Sequence, residues 1–155
     1  MHNIKKRNTS NQKGFTIIEV MIVLAIAGLI MLIVFLAVPA LQRNSRNTQY
    51  KNDAASYGAA ANEWATNNNG KVPSSAADLT AIAALAKLGT LTAPTSVFTG
   101  ARTTTPAIGT IELVTGAKCS TTTTGDSVAS SSRALAVRYS IEDSSATPVK
   151  QCFES

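Results

Sequence analysis

The chain has 155 residues, 45% of them hydrophobic and 15% charged, with a formal net charge of +5. This length suits one ordinary domain with a helical extension. The charge does not point to nucleic acid, because four positive residues lie near the N-terminus, while from Phe15 onward ten Lys or Arg face nine Asp or Glu. We therefore expect no nucleic-acid partner.

The N-terminal region combines a basic segment with a long apolar one. Val20 to Val38 contains nineteen residues without a charge, and at ~1.5 Å per residue such a helix covers roughly 28 Å, about the hydrocarbon thickness of a bilayer. A buried core helix is the alternative, but the rest of the chain is too small to enclose it. The preceding basic residues predict a cytoplasmic N-terminus and an exported remainder. These basic residues are Lys5, Lys6, Arg7 and Lys13.

Three kinds of membrane segment fit this pattern: a cleaved secretory signal, an uncleaved signal anchor, or a processed leader whose apolar part is retained. A secretory signal has a shorter apolar region followed by a small-x-small cleavage site. Here the apolar segment is longer and ends in Ala37-Val38-Pro39-Ala40, without Ala-x-Ala spacing. The sequence therefore favours one of the two retained segments.

The start of the apolar segment reads "KGFTIIEVMIVLAIAGLI". It resembles the N-terminal motif of type IV prepilins and their relatives, and the resemblance covers about residues 13–42. It implies that a membrane-embedded prepilin peptidase removes the leader, residues 1–14, by cutting between Gly14 and Phe15. The same enzyme would then methylate the new amine of Phe15.

Glu19 places a carboxylate at the edge of the apolar segment, where an unpaired charge is costly. One interpretation is that it compensates the amine of its own Phe15 and the dipole of the first helical turn. The other is that it attracts the Phe15 amine of a neighbouring subunit when the apolar helices pack into a filament core. Both interpretations remain open from the sequence.

The apolar segment contains two residues that weaken a helix, Gly28 and Pro39. Pro39 has no N–H to donate to the carbonyl of Phe35, so we expect a kink or a loosened turn there. In the family that the motif resembles, such residues mark where the long helix bends or melts on assembly. The proline expected near Leu36 lies instead at position 39, which leaves the position of any melted segment open.

A polar continuation of the helix follows Leu41. Its large and small apolar residues recur at alternating spacings of four and three, which indicates one helical stripe. The sequence predicts a helix from about Phe15 to Thr66, comprising a transmembrane or filament-core part, 15–41, and an amphipathic part, 42–68. The stripe is predicted to be core rather than a binding or conducting surface. It consists of Tyr50, Ala54, Tyr57, Ala61 and Trp64.

The exported domain is predicted to occupy residues 69–155. Gly70 and Pro73 end the long helix, and Ser75 is predicted to cap a short helix that ends at Gly89. Three later stretches resemble strands, the second with one buried face. They run from Gly109 to Lys118, from Arg133 to Glu142 and from Pro148 to Phe153.

A three- or four-stranded antiparallel sheet against the long helix would give an α+β, pilin-like fold. Thr99 to Pro106 and Cys119 to Ser132 are rich in Ser and Thr and are predicted to be solvated loops; glycosylated or adhesive loops are the alternative. The even cysteine count in an exported segment favours a disulfide between Cys119 and Cys152 over two free thiols. That disulfide would join the last strand to the end of the first.

The inventory of reactive side chains argues against an enzyme. The single histidine, His2, lies in the leader, so the processed chain has no Ser-His or Cys-His pair and no histidine metal ligand. No phosphate-binding loop is present. The sequence predicts no catalytic residue, no cofactor and no metal.

The resemblance implies a structural subunit of a type IV pilus, with a type II secretion pseudopilin as the near alternative and a non-assembling, membrane-anchored binding domain as the distant one. The implied partners are prepilin peptidase, membrane lipid, other pilin subunits, and an assembly platform driven by separate ATPases. The implied locations are the cytoplasmic membrane before assembly and the extracellular pilus afterwards. Adhesion, twitching motility and DNA uptake cannot be distinguished from the sequence.

Overall fold

The computed structural model describes residues 14–154. The predicted basic residues and His2, in positions 1–13 of the leader, lie outside the described residues. The chain divides into two compact units between Pro39 and Ala40. The first helix, α1 (Ile17–Asn67), contributes to both units.

The described part of the first unit, residues 14–39, is helical from Ile17 and exposed throughout. Among the described helices, α1 is the one that is long and apolar enough to cross a membrane. An apolar helix that is exposed on every side in a single chain must be covered by lipid or by other protein. Its secondary structure continues through Gly28 and Pro39, so their predicted role as helix breaks stays a prediction.

The second unit begins with the rest of α1, which has one buried face. The predicted stripe is confirmed, because all five of its residues are buried. This face packs in a hydrophobic core with residues of the short second helix and of the sheet. The stripe therefore serves as core, as its spacing predicted.

The end of α1 and the start of α2 (Ala76–Ala86) follow local hydrogen-bonding rules. After α1, the N–H of Gly70 donates to the carbonyl of Ala65 at 2.7 Å. This hydrogen bond gives a partner to one of the backbone carbonyls at the C-terminal end of the helix. Ser75 caps α2 as predicted, in a capping box with Asp78. The predicted end at Gly89 is wrong, because Lys87 already takes the left-handed conformation, at φ 48°.

Within residues 14–154, six strands form two sheets. The strands are β1 (Val97–Thr99), β2 (Ile111–Thr115), β3 (Ala117–Cys119), β4 (Ser127–Ala129), β5 (Leu135–Glu142) and β6 (Pro148–Glu154). The main sheet has the order β1-β2-β5-β6, and β3 pairs with β4 in a separate two-stranded sheet. The prediction of an α+β fold with a small antiparallel sheet is confirmed, because every strand pair is antiparallel except the edge pair β1 and β2, which is parallel.

The predicted strand 109–118 is divided at Gly116, which has a φ of 65°, a conformation that residues with side chains rarely adopt. The chain leaves the main sheet after Thr115 and enters β3. The segment predicted as a loop, 119–132, contains β4. A strand of three residues is too short to show a recognisable alternation of apolar and polar residues in the sequence.

β5 is buried on both faces rather than on one. Leu135, Val137 and Tyr139 belong to the core that includes α1, as the alternation predicted. The intervening Ala136, Arg138 and Ser140 are also buried. The sheet therefore has a second covered face, and the prediction of one buried face is wrong.

The second face contains a small apolar cluster that includes the disulfide. Val114, Ala117 and Ala136 form this cluster, and Phe98 and Cys152 pack against it. Cys152 is bonded to Cys119, with 5.6 Å between their Cα atoms. The predicted pairing is present, but it joins β6 to β3 of the small sheet, because β3 is no longer part of the first long strand.

Candidate functional site

The start of α1 is built around a short polar arrangement. Gly14, Phe15 and Thr16 precede the helix, which begins at Ile17. Phe15 is 89% exposed, and a Cβ atom placed on Gly14 would meet nothing within 4 Å. Nothing in the described fold therefore requires glycine at position 14.

Thr16 and Glu19 form a capping box. The backbone N–H and the hydroxyl of Thr16 each donate to Oε2 of Glu19 at 2.8 Å, and the N–H of Glu19 donates to the Thr16 hydroxyl at 3.3 Å. This reciprocal arrangement satisfies donors at the free end of the helix. The carboxylate thus has a partner within a single chain.

This capping box was not recognised from the sequence. The signal was present, because Thr followed three residues later by Glu, before an apolar segment, is the signature of a capping box. The structure adds Thr16 to the motif as the residue that holds the carboxylate.

Phe15 and Glu19 share an open groove on the helix surface. Val20, Val23 and Leu24 complete its lining. The structure therefore brings the two predicted assembly residues together on one face of the apolar part of α1. Gly28 and Pro39 lie further along α1, and Cys119 and Cys152 lie in the second unit.

The most densely charged cluster of the second unit is a structural network. Arg138 is fully buried and donates to Glu112 Oε2 at 2.6 Å. Arg102 also binds Glu112, at 3.2 Å, while Lys150 binds Asp126 at 2.5 Å. Each acidic group here faces a basic one, which is the arrangement that stabilises buried charge.

No group of three or more His, Cys, Asp or Glu residues that could hold a metal is found within residues 14–154. Both cysteines are in the disulfide. The groups that the described residues bring together are therefore ion pairs and a helix cap. The exposed apolar surface of residues 17–38 is the feature that must be covered by lipid or by other protein.

The described chain combines a long N-terminal helix, apolar in its first half and acidic in its first turn, with a disulfide-bonded α+β unit, which is consistent with a pilin-like fold. Residues 9–35 match the family model described as the prokaryotic N-terminal methylation motif. The chain carries this motif, which is the signal segment of type IV pilins. No curated protein and no solved structure gives a significant match to the chain.

The motif supports a membrane-anchored prepilin of the type IV pilin or pseudopilin kind, and the motif itself does not belong to an enzyme family. It implies processing by prepilin peptidase and assembly with other subunits. The match ends at residue 35, so it does not extend to the globular unit, Ala40–Ser155.

Proposed function

We propose that the chain is the structural subunit of a type IV pilus, polymerised through its apolar N-terminal helix into a surface filament. The observation that carries this proposal is the methylation motif on a helix whose apolar surface is exposed from residue 17 to residue 38. Such a surface suits lipid in the single chain and other copies of the helix in a filament. The subunit would span the cytoplasmic membrane once, with its N-terminus inside, and become extracellular on assembly.

Cleavage is proposed between Gly14 and Phe15, followed by methylation of the Phe15 amine. The open surroundings of Gly14 support this proposal, because the requirement for a small residue would then come from the peptidase cleft. The exposed, non-helical position of residues 14–16 is also accessible to an enzyme.

Cleavage would create a positive charge beside the groove that contains Glu19. We propose that Glu19 pairs with the Phe15 amine of a neighbouring subunit once the helices gather. The apolar lining of the groove, Val20, Val23 and Leu24, would lower the local dielectric and strengthen the pair. Because Thr16 already holds the carboxylate in a single chain, pairing requires the carboxylate to change or share partners.

Two variants of Glu19 test this proposal. Glu19→Gln keeps the size of the side chain and a hydrogen-bond acceptor but removes the charge. Glu19→Ala removes the acceptor as well as the charge. We expect both to be cleaved between Gly14 and Phe15 and to be lost from sheared filaments by at least about tenfold, as removal of one partner of a buried charge pair predicts. Normal filaments from Glu19→Gln would exclude the charge pair.

The abundance and location of the processed chain separate a pilin from the other candidates. Abundant product in sheared surface filaments identifies a major pilin, and trace product identifies a minor one. Processed chain that is absent from filaments but required for secretion of other proteins identifies a type II pseudopilin. Processed or intact chain that never assembles identifies a membrane-anchored binding domain.

A further inference from the structure

The turn after α1 contains Asn69-Gly70, which is the one Asn-Gly pair in the sequence. In peptides this pair is the most reactive sequence for deamidation of asparagine, because glycine has no side chain to hinder attack by its own backbone nitrogen. The Asn69 residue is exposed to solvent. The globular unit therefore carries a site of high intrinsic reactivity that lies away from the N-terminal motif.

The backbone conformation of the turn explains why these two residue types occur together. Both take the left-handed conformation, with φ 57° at Asn69 and 73° at Gly70. Asn is one of the few residues with a side chain that adopts this conformation readily, and Gly adopts it without strain. In addition, a Cβ atom on Gly70 would lie 2.5 Å from a guanidinium nitrogen of Arg133. The end of the helix therefore favours the reactive pair for structural reasons.

The same turn occupies the atom that carries the reaction. Deamidation needs the backbone nitrogen of Gly70, which must lose its proton and reach Cγ of Asn69. In the structure this N–H donates to the carbonyl of Ala65 at 2.7 Å. The nitrogen therefore serves as a donor that ends α1, and its proton is held in a hydrogen bond rather than exposed to base.

Further contacts hold the turn on both sides of the reactive pair. Nδ2 of Asn68 donates to the carbonyl of Trp64 at 2.8 Å, and the N–H of Lys71 donates to the carbonyl of Asn68 at 3.1 Å. The guanidinium of Arg133 lies against Gly70 from a distant part of the chain. Attack on the asparagine side chain requires the peptide group within the pair to rotate, so these contacts must open first.

We propose that Asn69 is a site of spontaneous deamidation that the folded chain restrains, and that the reaction proceeds when the turn after α1 opens. The deprotonated Gly70 nitrogen then attacks Cγ of Asn69. A new C–N bond closes a succinimide ring while the bond from Cγ to Nδ2 breaks, and ammonia leaves with the proton that the Gly70 nitrogen lost. Water then opens the ring at either carbonyl, which gives aspartate or isoaspartate and completes the balance.

The two products affect the turn in different ways. Aspartate keeps the backbone unchanged and is compatible with the left-handed conformation, but it adds a negative charge at the C-terminal end of α1, which the helix dipole disfavours. Isoaspartate lengthens the backbone by a methylene group, so the Gly70 N–H loses the geometry of its bond to Ala65. Neither product returns to asparagine. Deamidation is a property of the single chain and does not depend on the proposed function.

Peptide mass spectrometry of the full chain in detergent micelles tests the proposal. The chain is incubated in mildly alkaline buffer, either folded or unfolded in urea, and the fraction of Asn69 that is converted is followed with time. We expect the folded chain to react at least about tenfold more slowly, the effect of one or two net hydrogen bonds that must open. Equal rates in the two states would overturn the proposal, and so would an unfolded chain that is not converted at Asn69.

A pair of variants tests whether the turn is the restraint. Asn68→Ala removes the side-chain hydrogen bond to Trp64 and leaves the reactive pair in place, whereas the matched control, Asn67→Ala, replaces a neighbouring exposed side chain. We expect Asn68→Ala to accelerate conversion in the folded chain by about fivefold, the loss of one net hydrogen bond. The control should not accelerate it, and in urea both variants should react like the unaltered chain. No acceleration by Asn68→Ala, or equal acceleration by the control, would contradict the role assigned to the turn.

Discussion

At the residue scale, Glu19 is held by the N–H and the hydroxyl of Thr16. The sequence raised the question of whether this carboxylate serves its own terminus or a neighbour's. The structure supplies a third group, since the carboxylate already completes a helix cap before any amine is created. This cap stabilises the charge in the single chain, and a neighbouring Phe15 amine must compete with it.

Tyr57 has a hydroxyl without a hydrogen-bond partner within the described residues. Its side chain is fully buried, and this burial raises the pKa of the phenol above its ordinary value. A buried, unsatisfied hydroxyl costs stability. We expect Tyr57→Phe to leave the free energy of unfolding unchanged or to raise it by about 1 kcal/mol, measured by denaturant titration of the full chain in detergent.

The contrasting variant is Ser140→Ala. The Ser140 hydroxyl is also buried but donates to the carbonyl of Pro106 at 2.7 Å, so its removal should lower the free energy of unfolding by about 1–2 kcal/mol. If Tyr57→Phe lowered the free energy of unfolding more than Ser140→Ala does, the Tyr57 hydroxyl would have a hydrogen-bond partner, contrary to this prediction.

Asp53 holds the segment after α2 onto α1. Burial raises the pKa of this carboxyl, but hydrogen bonds from the N–H groups of Leu91, Thr90 and Gly89 and from the Thr90 hydroxyl outweigh it, so the net pKa is lowered from 3.8. A lowered pKa means that the unfolded chain binds the proton more tightly. The stabilisation is therefore complete above pH 3.8 and is lost as the pH falls through the lower folded value.

The measurement is the free energy of unfolding of the unaltered chain and of Asp53→Asn from pH 7 down to pH 2. At pH 7 the variant should be less stable by about 2 kcal/mol, the typical contribution of hydrogen bonds to a charged group. The difference should shrink below pH 4 as the native carboxyl is protonated. A difference that stays constant with pH would contradict the role assigned to the charge.

At the scale of elements, the parts with strong local signals were predictable. The spacing from Tyr50 to Trp64 located the buried face of α1, and Ser75 located the start of α2. β1 and β4 were missed because each has only three residues, and the division of the predicted strand was missed because it depends on the backbone conformation of Gly116. The contacts of Arg43, Arg46 and Asn47 were also missed, because these residues are polar and their partners lie at the end of β5 and in the turn that follows it.

Arg138 shows how the second face of the main sheet is covered. Besides Glu112, its guanidinium donates to the carbonyls of Gly125, at 2.9 Å, and of Thr104. Burial lowers its pKa, and the charges of Glu112 and Asp126 counteract part of this effect. The Arg138 side chain of β5 therefore binds both of the Ser- and Thr-rich segments that were predicted to be solvated loops.

We expect Arg138→Ala to lower the free energy of unfolding of the full chain by about 3 kcal/mol or more, because it leaves buried acceptors and charges without their partner. Arg138→Met, which fills more of the same space, should lose less. The control, Lys118→Ala, alters an exposed residue and should change stability by less than about 0.5 kcal/mol. Denaturant unfolding gives all three values, and a neutral Arg138→Ala would contradict the network.

At the scale of the whole molecule, the surfaces of the two units suit different environments. The first exposes only apolar side chains after Glu19, as far as Val38, whereas the second buries most of its large apolar residues and carries a disulfide. The N-terminal motif was predictable because it is local and contiguous. The chain's place in an assembly was not, since it depends on contacts between copies that one sequence does not specify.

We propose that cleavage after Gly14 converts this chain into a filament subunit. The most direct test is intact-mass and N-terminal peptide mass spectrometry of sheared, purified surface filaments. We expect a chain that begins at an N-methylated Phe15, with Cys119 and Cys152 joined by a disulfide. Filaments that contain the chain with its leader still attached, or with a different N-terminal residue, would contradict it.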